Sequence, residues 1–435
     1  MEIEEESPKH VTLDIVNEDA LLSSIKEKME HISLSHCVCR VPEKLYKVNE
    51  EKYYPYLVSI GPFHHGKNTL KLMEDQKWRY LNALLSRKPN AEATLDTCIR
   101  ALRQVEQKAR KFYGEPIQMG SDRLVELLLL DGCFIIELFL HHAIKNLRRR
   151  DDPCFSSDDS LFHLRCDLIM YENQLPFFIL DQIFHIVPIP KHCHLSLIDL
   201  ALDFFKKLIP DQSHQNLREI FSPQTHHLLD LIRQHYLPTS SAEIITLPNV
   251  GCTNMPHASR LLSLGISVER ATSSSPTNIQ FFNGKLKIPS LEIHAYTEIL
   301  FRNLIAMEHC SPGCSKHVTS YVFLMERLIR SPWDVRLLQE REVLIDGHER
   351  EKEIAFLLQK LHVDINPDDF YYGGLCEQVR HHQTRRRDVW WERVRDVYHG
   401  TRFGLAGFSL ALLLLVFLFT GAFFSAVYFL LHHFQ

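Results

Sequence analysis

The stretch Ser121-DRLVELLLLDGCFIIELFLHHAIK-Asn146 decides the fold. Its apolar residues recur with helical rather than alternating spacing, and they occupy nearly every side of the helix they imply. A helix apolar all round must sit inside other helices, so the chain reads as a large, mainly α-helical domain built around this segment. A second apolar stretch, Leu161 to Val187, reads the same way and joins it at the centre. Pro176 has no N–H and must kink or break that second helix. The carbonyls it frees would be met by the amides of Asn173 or Gln174.

Working outward, Asn17 or Asp19 is expected to cap a helix through Met29, and Asn68 or Thr69 one that runs to about Arg87. A third spans Ala91 to Phe112 before Gly114. After a loop, helices resume around His226 to His235, then at Tyr296–His309, Val318–Ile329, Glu349–Leu361 and Tyr371–Val397. The charged, Ser-rich stretch near 148–160 reads as an exposed loop, as does 238–256. The one clear β signal is Asn278–Phe282, Asn283-Gly284, Lys285–Ile288, a two-residue hairpin. No internal repeat is present, which disfavours solenoids. The organisation expected is an acidic flexible N-terminus over 1–16, one helical domain over 17–400, a transmembrane helix over 403–431 and a short tail over 432–435.

That last helix is read from Leu405 to Leu431, LAGFSLALLLLVFLFTGAFFSAVYFLL, which contains no charged residue. At about 1.5 Å per residue it would span a hydrocarbon core of about 30 Å. Arg385, Arg386, Arg387 and Arg402 precede it with Trp390 and Trp391, and only His432-His433-Phe434-Gln435 follows. The excess of arginine on one side predicts a single-pass protein with its large domain in the cytoplasm and the plasma membrane as its first candidate location. A span this close to the end would insert after synthesis. MEIEEESPKH places four glutamates where a secretory signal carries basic residues. Eleven cysteines without such a signal read as reduced thiols.

A net charge of -5 and a pI of about 6.6 give no reason to expect nucleic-acid binding. Gly61-Pro62-Phe63-His64-His65-Gly66-Lys67-Asn68 imitates a phosphate-binding G-x-x-x-x-G-K-[ST] loop, and Leu127 to Leu130 before Asp131 imitates the apolar run and acid that accompany one. Pro62 lacks an N–H, Asn68 replaces the magnesium ligand and Asp131 lies in a helical pattern, so no nucleotide is expected. His309-Cys310-x3-Cys314-x2-His317 is the densest set of potential metal ligands, but its adjacent pair cannot both reach one ion. His64-His65, His141-His142 and His381-His382 diverge on a helix. No metal and no cofactor is expected. Glu172-Asn173-Gln174-Leu175-Pro176 sets polar groups inside an apolar stretch, where they read as a fold-specifying network or, alternatively, an acid/base pair. Asp167 and Glu172 need partners there, of the kind Lys67, Arg100 or Arg302 could provide.

Several blocks together resemble a plant family known as domain of unknown function 247: CRVPEKLYKVNEEKYYPYLVSIGPFHHGK, LMEDQKWRYL, LLLLDGCFIIELF, DLIMYENQLPFFIL, LKIPSLEIHAYTEILFRNLIAMEHC, VTSYVFLMERLI and the final apolar stretch. The resemblance covers nearly the whole chain. It implies a single helical domain ending in a membrane helix, with no established activity or cofactor, and some relatives are linked to cell-surface recognition, including pollen–stigma self-incompatibility. It gives weight to Gly61, Pro62, His64, His65, Gly66, Asp131, Glu172, Asn173, Gln174, Pro176, Arg302 and Asn303 as motif positions. Two departures stand out: HGTRFG replaces the usual Pro-Trp before the last helix, and the loop over 238–256 is idiosyncratic. The function expected is therefore a membrane-anchored interaction or signalling component that binds another protein. The alternative is an enzyme of unrecognised type, nucleotide-binding or hydrolytic, that uses the Gly61–Lys67 loop or the Glu172 cluster.

Overall fold

The computed structural model describes residues 38–209, 225–238, 254–273, 275–311, 313–346, 350–361, 369–385 and 404–433. The expected helix over 17–29, most of the loop over 238–256, and Arg386, Arg387, Trp390, Trp391 and Arg402 lie outside them. The chain divides into two compact units, the first ending at Gly374 and the second beginning at Leu375.

In the first unit the central helix is α3, Ser121–Ala143, every residue of which from Leu127 to His141 is buried. It packs against α1 (Lys71–Leu85), α2 (Ala91–Phe112), α5 (Phe177–Ile186) and α6 (Leu197–Phe204). Its near-continuous apolar surface demands partners on all sides, and those four helices provide them. No side chain caps α1, because the 3-10 turn Asn68–Leu70 leads directly into it in place of the expected Asn68 or Thr69 cap.

The apolar stretch from Leu161 to Val187 is two helices rather than one, α4 (Asp158–Leu168) and α5, separated by an irregular but buried segment over 169–176. Pro176, at φ -56°, occupies the cap position from which α5 restarts. The loop over 148–160 is not wholly exposed: Asp152 and Cys154 are buried, and Asp152 accepts hydrogen bonds from the Tyr80 hydroxyl at 2.7 Å and the Cys154 N–H at 3.0 Å.

Beyond α7 (Leu228–Gln234) and α8 (Ala258–Ser263), the expected hairpin forms the core of a three-stranded sheet. β2 (Gln280–Phe282) pairs antiparallel with β3 (Lys285–Pro289) through Asn283 at φ 51° and Gly284 at φ 76°, the conformation a two-residue turn requires. β1 (Ser267–Ala271), which the sequence did not announce, runs parallel to β3, Val268 opposite Leu286 and Arg270 opposite Ile288. A further two-stranded parallel pair joins β4 (Leu291–Glu292) to β5 (Leu344–Ile345). The helices that follow in the first unit are α9 (Thr297–Cys310), α10 (His317–Leu328), α11 (Pro332–Glu340) and α12 (Glu351–Lys360). α9 packs on α10 and α11 on α12.

The second unit carries helical residues through 385 and a helix over Gly404–His433. The latter contains the stretch expected to cross a membrane, and here the expectation is corrected. Among the described residues no helix is long and apolar enough to cross a membrane. The fold is thus mainly helical with a few strands, and the single-pass anchor over 403–431 is not supported.

Candidate functional site

The motif positions converge although they are far apart in sequence. Residues Tyr56 to Gly61 form an irregular strap, neither helix nor strand, so their N–H groups have no ladder to join. Side chains take that place. Asp167 at the end of α4 accepts from the Tyr56, Leu57 and Val58 N–H groups at 2.8, 2.7 and 2.8 Å. Asn173 Oδ1 accepts from Ile60 N–H at 2.7 Å, and its Nδ2 donates to the Val58 and Asp167 carbonyls, each at 3.0 Å. Asp131 of α3 accepts from Gly61 N–H at 2.8 Å. Burial pushes the Asp167 carboxyl up to about 7, against the three N–H donors that favour its anion.

The other oxygen of Asp131 lies 2.7 Å from Lys77 Nζ, which also donates to Glu74 at 2.7 Å and to the Ser59 carbonyl at 2.6 Å. Burial pushes the Lys77 ammonium down, but the Asp131 and Glu74 carboxylates outweigh it and raise its pKa above the ordinary value. Lys77 was not anticipated. A signal was present, since it falls among Met73, Tyr80, Leu81 and Leu84 on the inward stripe of α1, where a charge demands a partner.

Gln174 spans the α4–α5 break: its Nε2 donates to the Leu168 and Met170 carbonyls, both at 2.8 Å, and its Oε1 accepts from Leu229 N–H at 3.2 Å. Glu172 is held by Arg40 Nη1 at 2.8 Å, Val41 N–H at 2.7 Å and His64 Nε2 at 3.3 Å. Burial pushes its carboxyl up, but the His64, Val41 and Arg40 contacts outweigh it and hold it below the usual carboxylate range. Burial also holds the His64 imidazole low, overriding Glu172. The partners expected for these acids are therefore replaced. Asp167 is met by main-chain N–H groups and Glu172 by Arg40, whereas Arg100 pairs with Asp96 and Arg302 with Glu298. Arg302 thus stands apart from the cluster. Its neighbour Asn303 belongs to it, accepting from Tyr171 N–H at 2.9 Å and donating to the Lys52 carbonyl at 3.0 Å.

The phosphate-loop imitation fails in its geometry. The Gly61 N–H is spent on Asp131, and Lys67 Nζ sits 3.0 Å from His64 Nδ1 and 4.1 Å from the centre of the Tyr54 ring. The histidine pair diverges: His64 turns inward to Glu172, and His65 turns outward toward Arg123 at 3.3 Å. His141 and His142 diverge likewise, to Asp152 and Asp203. Among the described residues no group of three or more His, Cys, Asp or Glu side chains is arranged to hold a metal.

On the outer side of this cluster the loop opens onto a cavity of about 260 Å³ between α1 and α3, walled by Gly66, Lys67, Lys71, Trp78, Arg123 and Leu130. Trp78 remains 48% exposed there, and Leu72, one position beyond Lys71, is 89% exposed. Of the anticipated positions His65 and Gly66 face this cavity, while Arg385 lies in the second unit.

Comparison with known proteins places this arrangement in a family. A UPF0481 protein of Arabidopsis thaliana, At3g47200, is 29% identical over 393 residues, covering 84% of this chain and 80% of that protein. A putative UPF0481 protein of the same plant, At3g02645, is 20% identical over 499 residues, covering 92% of each. No solved structure matches. The family profile described as "Plant protein of unknown function", domain of unknown function 247, matches residues 38–417, a span that holds every side chain of the buried cluster and both walls of the cavity, and the chain belongs to that family.

Proposed function

We propose that the chain is a protein-interaction or recognition component whose helical unit binds a partner protein at the face carrying Trp78. One observation carries this reading: a tryptophan, 48% exposed, lines an open cavity flanked by Lys71, Arg123 and Glu126. Half-buried tryptophan and arginine at a concave, mixed-charge surface are the residues that dominate binding energy at protein interfaces. The buried acids behind that face are occupied by Lys77, Arg40 and main-chain N–H groups, an arrangement that supports a rigid platform better than acid/base chemistry.

The test is affinity capture from plant extracts with the wild-type chain and Trp78→Ala side by side, followed by direct binding with the purified partner. A partner retained by the wild type and weakened at least about tenfold by Trp78→Ala, with unchanged melting, is expected. No reproducible partner, or equal capture by both chains, would refute the reading.

A further inference from the structure

A second cavity holds about 180 Å³. Six places in the chain build it: the turn Lys206–Leu208, Tyr236 after α7, the end of β1 together with Ser273 and Pro276, the β3–β4 junction, the start of α9, and β5. Its floor is apolar, with Leu208, Tyr236, Leu291, Leu300 and Phe301 each 5% exposed or less. Tyr236 presents only its ring, since its hydroxyl is spent on the Leu208 carbonyl at 2.9 Å. An apolar cavity of about 150 Å³ is large enough to take a benzene ring. This one therefore accepts an apolar body of about one aromatic ring.

The rim selects charge. Glu292, the acid at the mouth, is already engaged by His294 at 3.1 Å. Arg270 spends Nη1 on Glu342 at 3.0 Å, which leaves the other edge of its guanidinium. Lys207 is exposed and, among the described residues, has no ion pair. Among the lining residues two cations, Lys207 and Arg270, thus stand against one acid, Glu292, above an apolar floor.

We infer that this cavity is a binding site for a small carboxylic acid with a ring-sized apolar body, its ring seated over Phe301 and Leu300 and its carboxylate met by Arg270 and Lys207. Charge-assisted hydrogen bonds from a guanidinium suit a carboxylate, and the apolar floor suits a ring. Neither the family nor the Trp78 face implies this site, and it stands independently of both.

The test is isothermal titration of the full chain with benzoate and, as its uncharged counterpart, benzyl alcohol, repeated on Arg270→Gln and Lys207→Gln. Both side chains are exposed enough that the variants should keep the wild-type melting temperature. Benzoate is expected to bind at least about tenfold tighter than benzyl alcohol, and each substitution to weaken benzoate by about tenfold while leaving benzyl alcohol unchanged. Absence of benzoate binding, equal affinity for the two probes, or benzoate binding indifferent to both substitutions would each overturn the proposal. The comparison of probes on the wild-type chain decides it even if a variant fails to fold.

Discussion

Lys77 Nζ and Asp131 Oδ1 meet at 2.7 Å with both side chains wholly inside the protein. The pair ties α1 to the central helix and, through Asp131 and the Gly61 N–H, ties both to the strap that carries the Gly61–Lys67 loop. Removing one member leaves a charge in the interior. Lys77→Met is therefore expected to cost about 3–5 kcal/mol in urea unfolding. Asp131→Asn keeps an acceptor for Gly61, and the double variant should be less damaged than the sum of the two, with a coupling of about 1–3 kcal/mol. Additivity within about 0.5 kcal/mol would show that the two side chains do not act together.

Gly61 and Gly66 form a matched control on the same loop. Both have positive φ, 70° and 79°. A Cβ at Gly61 would lie 2.7 Å from the Gln174 carbonyl oxygen and 3.0 Å from the Tyr113 hydroxyl, whereas one at Gly66 would meet nothing within 4 Å. Gly66→Ala then costs only the left-handed backbone, about 1 kcal/mol. Gly61→Ala adds a clash against main chain that cannot yield, and about 3 kcal/mol or more is expected. Similar melting of the two variants would mean that the strap does not press on the 169–176 segment.

These contacts mark where the sequence is readable and where it is not. The central helix was legible because apolar character on all sides of Leu124 to Leu140 admits one placement, and Asn283-Gly284 named its turn because few residues accept positive φ at both positions. β1 was not legible: Ser267–Ala271 is short, charged at Glu269 and Arg270, and acquires its state only from a partner strand. α6 and α11 were overlooked for their length, although Ser196 with Asp199 and Ser331 with Asp334 are complete capping boxes that local reading could have found. The break at Pro176 was legible and its polar neighbourhood with it. That Glu172 would choose Arg40, 132 residues away, is a property of the fold alone. The apolar residues near the C-terminus show the limit of composition, since among the described residues they do not amount to a membrane-crossing helix.

Glu172→Gln probes the Arg40–His64 end of the cluster. The folded carboxyl titrates below its ordinary value, so its contribution is present above the unfolded value of about 4.3 and is lost as pH falls through the folded one. At pH 7 the variant keeps an acceptor for Val41 N–H but no longer offers an anion to Arg40, and a loss of about 2 kcal/mol is expected. The gap between wild type and variant should close in unfolding measured below pH 4. A gap that stays constant from pH 7 to pH 3 would show that the charge of Glu172 contributes nothing.

His317, the first residue of α10, is also held below its ordinary pKa, but by burial of an unpaired ring rather than by charged partners. Its ring lies against Tyr371 with centroids 3.4 Å apart, and neither ring nitrogen has a partner among the described residues. Burial, with Arg233 nearby, lowers its pKa to about 4. In the unfolded chain the imidazole takes a proton near pH 6.5, so between those values the unfolded state binds more protons and stability rises with pH. The contribution is complete above about 6.5 and declines as pH falls toward 4, by at most about 3 kcal/mol. His317→Phe keeps a ring against Tyr371, removes two unsatisfied polar atoms, and should leave stability at pH 7 unchanged or raised by about 1 kcal/mol. Its stability should then fall less steeply than wild type between pH 6.5 and 4 in guanidinium unfolding. Parallel pH profiles for the two proteins would place the titration on another residue.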